Sequence, residues 1–242
     1  MAPQLFEEVD ILAFGAHPDD VEIGAGGVLH QLARQGKKVV ICDLTLAELS
    51  SNGTVERRQQ EAAAADRQLG IYRRVNLGLP DRGLRMSDEH IRPLVQVIRT
   101  FRPATVFAPF WKDRHPDHEM CAALVKEAVF NAKIRKYEIA DGIDSLPAHQ
   151  VGQLFHYFIN DSIEPQFMMD ISEDIEAKMA ALASYRSQFE ISDGSVATPL
   201  TEGYLKRVRA REYGFGQAAS VAYAEGFVAS TPLLLSVLPG KD

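Results

Sequence analysis

"VDILAFGAHPDDVEIGAGGVLHQLARQGKKVVICDL", residues 9–44, reads as strand, acidic loop, helix and strand. The runs 9–16 and 37–44 are apolar throughout, the mark of strands buried on both faces. Between them "VLHQLARQG" continues a helix that stops at Gly36. The first strand ends by gathering His17, Asp19, Asp20 and Glu22 into six residues. Burying even one unpaired charge costs several kcal/mol, so this cluster must be solvated, paired or bound to a metal.

The same alternation extends outward. Thr54 is placed to cap a helix running through Leu69, and "RRVNLGL" (73–79) reads as a weaker strand followed by the turn "PDRG". A helix from about Ser87 to Phe101 precedes a fourth strand, "ATVFAPF" (104–110). "DRHPDH" follows, then an apolar helix from about Glu119 to Ala132. Strands alternating with helices over this length predict an α/β fold of Rossmann-like, three-layer type with a mostly parallel central sheet. Ligands of such sheets bind at the carboxyl ends of the strands.

Further on, 140–149 reads as a surface loop and "VGQLFHYFI" and "FMMDI" as strands. A helix is predicted from about Glu173 to Phe189, then the loop "DGSVATP", then a helix capped by Thr198 with Pro199 at its first position. No repeat, low-complexity tract or linker interrupts the chain, so residues 1–242 are read as one domain.

Composition narrows the function. The net charge is −7, which disfavours nucleic acid or an anionic membrane as the main partner, since both select a basic face. Cys42 and Cys121 form no C-x-x-C pair, so they are read as core residues of a cytoplasmic protein. The N-terminal stretch lacks a basic n-region and reads as no signal peptide, and no apolar run reaches the length of a membrane span.

"HPDD" and "DRHPDH" occupy matching places, directly after strands one and four, where a parallel sheet can bring them together. Two histidines and a carboxylate suit Zn²⁺ with a fourth position left for water, and His17, Asp20 and His118 fit that count. Asp19 remains free to take a proton from the water. His115 is placed to donate to a developing oxyanion, with Asp117 as its orienter. The glycines at 24, 26 and 27 do not form a dinucleotide fingerprint, because position 29 is leucine, and there is no P-loop. They suit a helix packed close against the sheet. His30, His90, His149 and His156 are read as structural.

"AHPDDVEIGAGG" and "DRHPDH" resemble the LmbE-like (PIG-L) family of zinc-dependent N-deacetylases. "ELSSNGT", "LPDRGL", "KDRHPDH", "YRSQF", "TPLTEGY" and "YAEGF" extend the resemblance over nearly the whole chain, toward the branch that makes bacillithiol. The resemblance implies His17, Asp20 and His118 as zinc ligands and Asp19 as general base. It implies His115 as electrophilic or acid partner, with Asp117 behind it. Arg58 and Tyr204 match pocket residues of that branch, and Arg114 is a third candidate contact. Arg82 of "PDRG" is read as a turn residue. Pro18 departs from the alanine of some members of the branch.

The implied reaction is hydrolysis of the N-acetyl group of N-acetylglucosaminyl L-malate, giving acetate and the free glucosaminide. A fork of N–H donors on Arg58 and Arg114 would suit the malate carboxylate. One zinc per chain is expected, with iron(II) able to use the same ligands. A homo-oligomer, commonly a hexamer, is implied by the resemblance. Three alternatives are weighed: a deacetylase of another N-acetylglucosaminide such as diacetylchitobiose, a non-catalytic sugar-binding module, and a non-haem iron(II) oxygenase. The last usually sits on an all-β jelly roll and conflicts with the alternating pattern.

Overall fold

The computed structural model describes residues 6–139 and 146–234. Residues 140–145 of the predicted 140–149 loop lie outside the described residues. In chain order the elements are β1 (Ile11–Gly15), α1 (Asp20–Arg34), β2 (Val39–Thr45), α2 (Val55–Leu69), β3 (Arg73–Leu79), α3 (Asp88–Phe101) and β4 (Thr105–Pro109). They continue with α4 (Pro116–Ala132), β5 (Gln153–Tyr157), β6 (Phe167–Asp170), α5 (Ile175–Ala183), α6 (Arg186–Phe189), α7 (Tyr204–Ala219) and β7 (Ala224–Ala229).

The strands form one sheet in the order β3-β2-β1-β4-β5-β7-β6, with β7 antiparallel to both neighbours and the remaining pairs parallel. The fold is α/β as the alternation predicts. Side chains along a strand point alternately to opposite faces, which divides the core in two. Ile11, Ala13, Val39 and Ile41 pack with residues of α1, α2, α5 and α7. Leu12, Phe14, Val40 and Cys42 pack with residues of α3 and α4. Helices on both faces explain why β1 and β2 are apolar at nearly every position.

The glycines of α1 let it sit close to the sheet and to the strand-loop beyond it. A Cβ at Gly24 would fall 2.0 Å from the Tyr157 ring, and one at Gly27 would fall 2.8 Å from Ile171. Glu225 completes the seat from β7 by accepting from the N–H groups of Gly27 (2.9 Å) and Val28 (2.8 Å).

Three predicted features change, and one strand is new. The fourth helix starts at Pro116 rather than Glu119, which puts His118 in its first turn. The predicted 173–189 helix is two helices, α5 and α6, broken at Ser184 and Tyr185, where the buried Tyr185 hydroxyl donates to Glu22. Thr198 and Pro199 do not open α7; the Thr198 and Thr201 side chains close a local turn, and Gly203 at φ 74° begins the helix. β7 is a strand that the sequence pattern does not announce, because Glu225 and Gly226 interrupt its apolar run. Glu225 is buried there against Lys178.

Candidate active site

β1 and β4 are neighbours, and both run toward the same sheet edge. The loop after β1 carries His17 and Asp19 into α1, whose first residue is Asp20. The loop after β4 ends at His115, the N-cap of α4, with Pro116 and Asp117 opening its first turn. The two clusters therefore meet. The His17 and His115 ring centroids are 4.9 Å apart, and His115 stacks on His118 at 4.6 Å.

Asp20 sits between the other two histidines. Its carboxylate lies 3.2 Å from His118 Nε2 and 3.5 Å from His17 Nδ1, and it accepts the His17 main-chain N–H at 2.9 Å. The far nitrogen of each ring meets an outer carboxylate. His118 Nδ1 donates to Asp113 Oδ1 at 3.0 Å, and His17 Nε2 donates to Asp81 Oδ1 at 3.2 Å. Such outer partners fix a ligating histidine's tautomer and turn its lone pair inward. His17 Nδ1 and His118 Nε2 both face the Asp20 carboxylate, donor types that could hold a divalent ion of the zinc type.

Two triads among the described residues have ligand atoms within 4.8 Å of one another: His17 with His115 and His118, and His17 with Asp81 and Asp117. The Arg82 guanidinium already occupies Asp117 Oδ1 at 3.0 Å, so a cation is disfavoured on that side. Burial alone would lower His17 and His118, yet carboxylates outweigh it: Asp117, Asp20 and Asp81 hold His17 well above its ordinary value, and Asp20 with Asp113 raises His118 to about 9. Burial would likewise raise Asp20, but His118 and His17 hold it well below the usual carboxylate range.

Asp19 is not part of that set. It stands at φ 118°, which costs a non-glycine residue about 1–3 kcal/mol, and its Oδ2 lies 3.0 Å from Arg58 Nη2. Burial raises its carboxyl to about 7 against the opposing pull of Arg58. Arg58 also donates through Nε to the Pro18 carbonyl at 2.8 Å, while its buried Nη1 has no partner and the residue lines the cavity.

The Asp117 side chain lies elsewhere than the sequence reading expected. The Asp117 carboxylate makes no hydrogen bond to the His115 ring; it accepts the Arg82 N–H at 2.7 Å and lies 3.6 Å from His17 Nε2. His115 Nδ1 instead accepts the main-chain N–H of Asp117 at 3.3 Å. Burial, with His118 and His17 beside it, lowers His115 to about 4. The ring's proton then sits on Nε2, available as a neutral donor.

The clusters line one cavity of about 510 Å³, which Arg58, Arg114 and Tyr204 also border. Arg114 is exposed, its Nη2 donates to Asn160 Oδ1 at 3.0 Å, and among the described residues it meets no carboxylate. The buried Tyr204 hydroxyl donates to the Ile159 carbonyl at 3.1 Å. Arg82, read from sequence as a turn residue, takes a left-handed φ of 57° and also borders the cavity. Asp81, Asp113 and Asn160 escape sequence reading. Aspartate in "PDRG" or "KDRH" looks like turn chemistry, and Asn160 carries no local signal.

Residues 12–129 match the family model described as PIG-L: GlcNAc-PI de-N-acetylase. The chain belongs to the PIG-L family. It is a de-N-acetylase, a metal-dependent amidohydrolase. A crystal structure of the conserved protein TT1542 from Thermus thermophilus is similar at 38% identity, with a TM-score of 0.84 over 94% of this chain and 97% of that one. The diacetylchitobiose deacetylase of Thermococcus kodakarensis is 29% identical, over 95% of this chain and 86% of its own. A probable N-acetyl-α-D-glucosaminyl L-malate deacetylase 2 of Bacillus cereus is 26% identical, over 76% of this chain and 85% of its own. No described helix of this PIG-L chain is long and apolar enough to cross a membrane.

Proposed function

We propose that the chain deacetylates an N-acetylglucosaminide whose aglycone carries a carboxylate, as in N-acetylglucosaminyl L-malate, releasing acetate and the free glucosaminide. The observation that carries the aglycone is Arg114, a guanidinium beside the cavity that meets no carboxylate among the described residues. A carboxylate supplied by substrate would complete it.

His17, Asp20 and His118 would hold the ion, zinc by the donor set, with iron(II) open to the same ligands. When bound, it supplies Lewis acidity to the acetamide carbonyl and to water. Asp19 takes a proton from the attacking water onto its carboxylate and returns it to the departing amine. The His115 Nε2–H donates to the carbonyl oxygen as negative charge develops there, the role of an oxyanion-hole donor. Arg58 orients Asp19 through Nη2 and keeps Nη1 for the substrate. Tyr204 closes the wall beside Asn160, its hydroxyl 3.4 Å from Asn160 Oδ1.

Diacetylchitobiose is the second reading. It is favoured by the relative of that activity matching 95% of the chain, against 76% for the malate type. The free, fully buried Cys42 and Cys121 support a reducing, cytoplasmic setting. Assembly as a homo-oligomer, commonly a hexamer, rests on family resemblance.

The test is amine release from N-acetylglucosaminyl L-malate, diacetylchitobiose and N-acetylglucosamine, before and after metal removal and zinc return. Zinc-restored turnover that prefers the malate glycoside supports the proposal. Preference for diacetylchitobiose replaces the aglycone and keeps the chemistry. No amine from any of them, with zinc bound, overturns the reading.

A further inference from the structure

Asn160 lies three residues beyond the end of β5, at the same sheet edge as the two histidine loops. Its main-chain N–H donates to Asp113 Oδ2 at 3.0 Å, and its side-chain Nδ2 donates to Asp113 Oδ1 at 2.9 Å. The other end of the same amide accepts from Arg114 Nη2 at 3.0 Å. Only this amide orientation places a donor on the carboxylate and an acceptor on the guanidinium.

Asp113 is the residue on which this arrangement turns. Besides both Asn160 donors, its Oδ1 accepts the His115 N–H at 2.8 Å and His118 Nδ1 at 3.0 Å. Burial acts to raise it, yet His118 and these donors hold it well below the usual carboxylate range. Asn160 Nδ2 is 3.5 Å from His118 Nδ1, too long to compete with Asp113 for that ring.

We propose that Asn160 is a positioning residue serving both sides of the site: one end of its amide braces Asp113 behind His118, and the other aims Arg114 into the cavity. The metal-side half stands on geometry alone; the substrate-side half rests on the deacetylase reading above. Asparagine suits the place because aspartate would set a second carboxylate against Asp113. Alanine would remove the side-chain amide from both partners at once, leaving only the main-chain N–H on Asp113.

The experiment uses the full chain. Zn²⁺ affinity is measured by competition with a chelator for wild type, Asn160→Asp and Asn160→Ala, and kcat and KM are measured for the same proteins, for Arg114→Ala, and for the Asn160→Ala/Arg114→Ala pair. Asn160→Asp is isosteric and guards against a packing failure. Zinc affinity should fall about ten- to hundredfold in both Asn160 variants, the range seen when the outer partner of a ligand is lost. Asn160→Ala should also raise KM for N-acetylglucosaminyl L-malate about tenfold. That rise should vanish in the Arg114→Ala background while the zinc defect persists.

Zinc affinity within about twofold of wild type in both variants, well short of that range, overturns the brace. A KM effect that simply adds to that of Arg114→Ala overturns the aiming role. If no N-acetylglucosaminide is turned over, the functional reading fails on its own, and the zinc titration still decides the brace.

Discussion

The Asp19 carboxylate is held 3.0 Å from the Arg58 guanidinium, while the Asp19 backbone occupies a conformation that few side chains adopt. Arg58 grips both the carboxylate and the preceding Pro18 carbonyl, so the base is locked in orientation. Asparagine tolerates positive φ better than most residues, so Asp19→Asn should fold and keep zinc. Its kcat should fall about 10²- to 10⁴-fold, the usual worth of a general base. Turnover assays beside zinc stoichiometry check this.

The acid side of the pH profile follows from the same group. Asp19 accepts a proton only when ionised, so activity should be lost as pH falls through its pKa, about 7 for the chain's own charges. A divalent ion beside it favours the ionised form and moves that midpoint down. The kcat/KM profile of zinc-loaded enzyme should therefore show its acid limb at or below about pH 7.

Metal affinity should rise with pH. Without an ion, and against the effect of burial, Asp20 and Asp113 keep a proton on His118 up to about pH 9, and Asp117, Asp20 and Asp81 likewise favour the protonated form of His17. An incoming ion must displace those protons. Between about pH 9 and pH 6 the zinc Kd should weaken about tenfold per pH unit for each proton displaced. Chelator competition at several pH values, with proton release followed in weak buffer, measures both quantities.

His115 should act without titrating in the working range. Burial, His118 and His17 lower it to about 4, so it is a neutral donor from mildly acidic pH upward. His115→Ala should cost about 10²- to 10³-fold in kcat, like the loss of one oxyanion donor. Its zinc affinity should change little, and the alkaline limb of the wild-type profile should not shift in the variant.

Stability should depend sharply on Lys178. Its Nζ lies 2.6 Å from both Glu212 Oε1 and Glu225 Oε1, and all three residues are fully or almost fully buried. Lys178→Met leaves two buried carboxylates without their shared cation. Breaking a buried pair in this way costs about 3–5 kcal/mol. Urea unfolding of the two proteins should show that loss as a lower midpoint.

The first half of the fold was legible because its signals are local and agree. β3 and α2 lie where their patterns place them, with Thr54 capping α2 through its side chain as read. The later elements depend on distant partners. β7 hides in the sequence because Glu225 reads as solvent-facing until Lys178, some fifty residues upstream, is brought beneath it. The site divides in the same way. Histidines flanked by aspartates after two strands declare themselves, and Asp20 lies within 3.5 Å of both His17 and His118. What each carboxylate touches does not follow from spacing. Asp117, two residues from His115, turns to Arg82 and His17, while Asp113 takes the supporting place behind His118.

The seat of α1 bears on the order in which the parts come together. Both histidine loops, and Asp20 with them, lie before residue 119. Yet the helix that begins at Asp20 rests on Tyr157, Ile171 and Glu225. Until those later residues are in place, α1 has only the part of its seat that β1, β2 and α2 provide. The candidate ion site therefore leans on segments far along the chain from all of its histidines, and a truncation that spares His17, Asp20 and His118 but removes β7 should lose metal affinity.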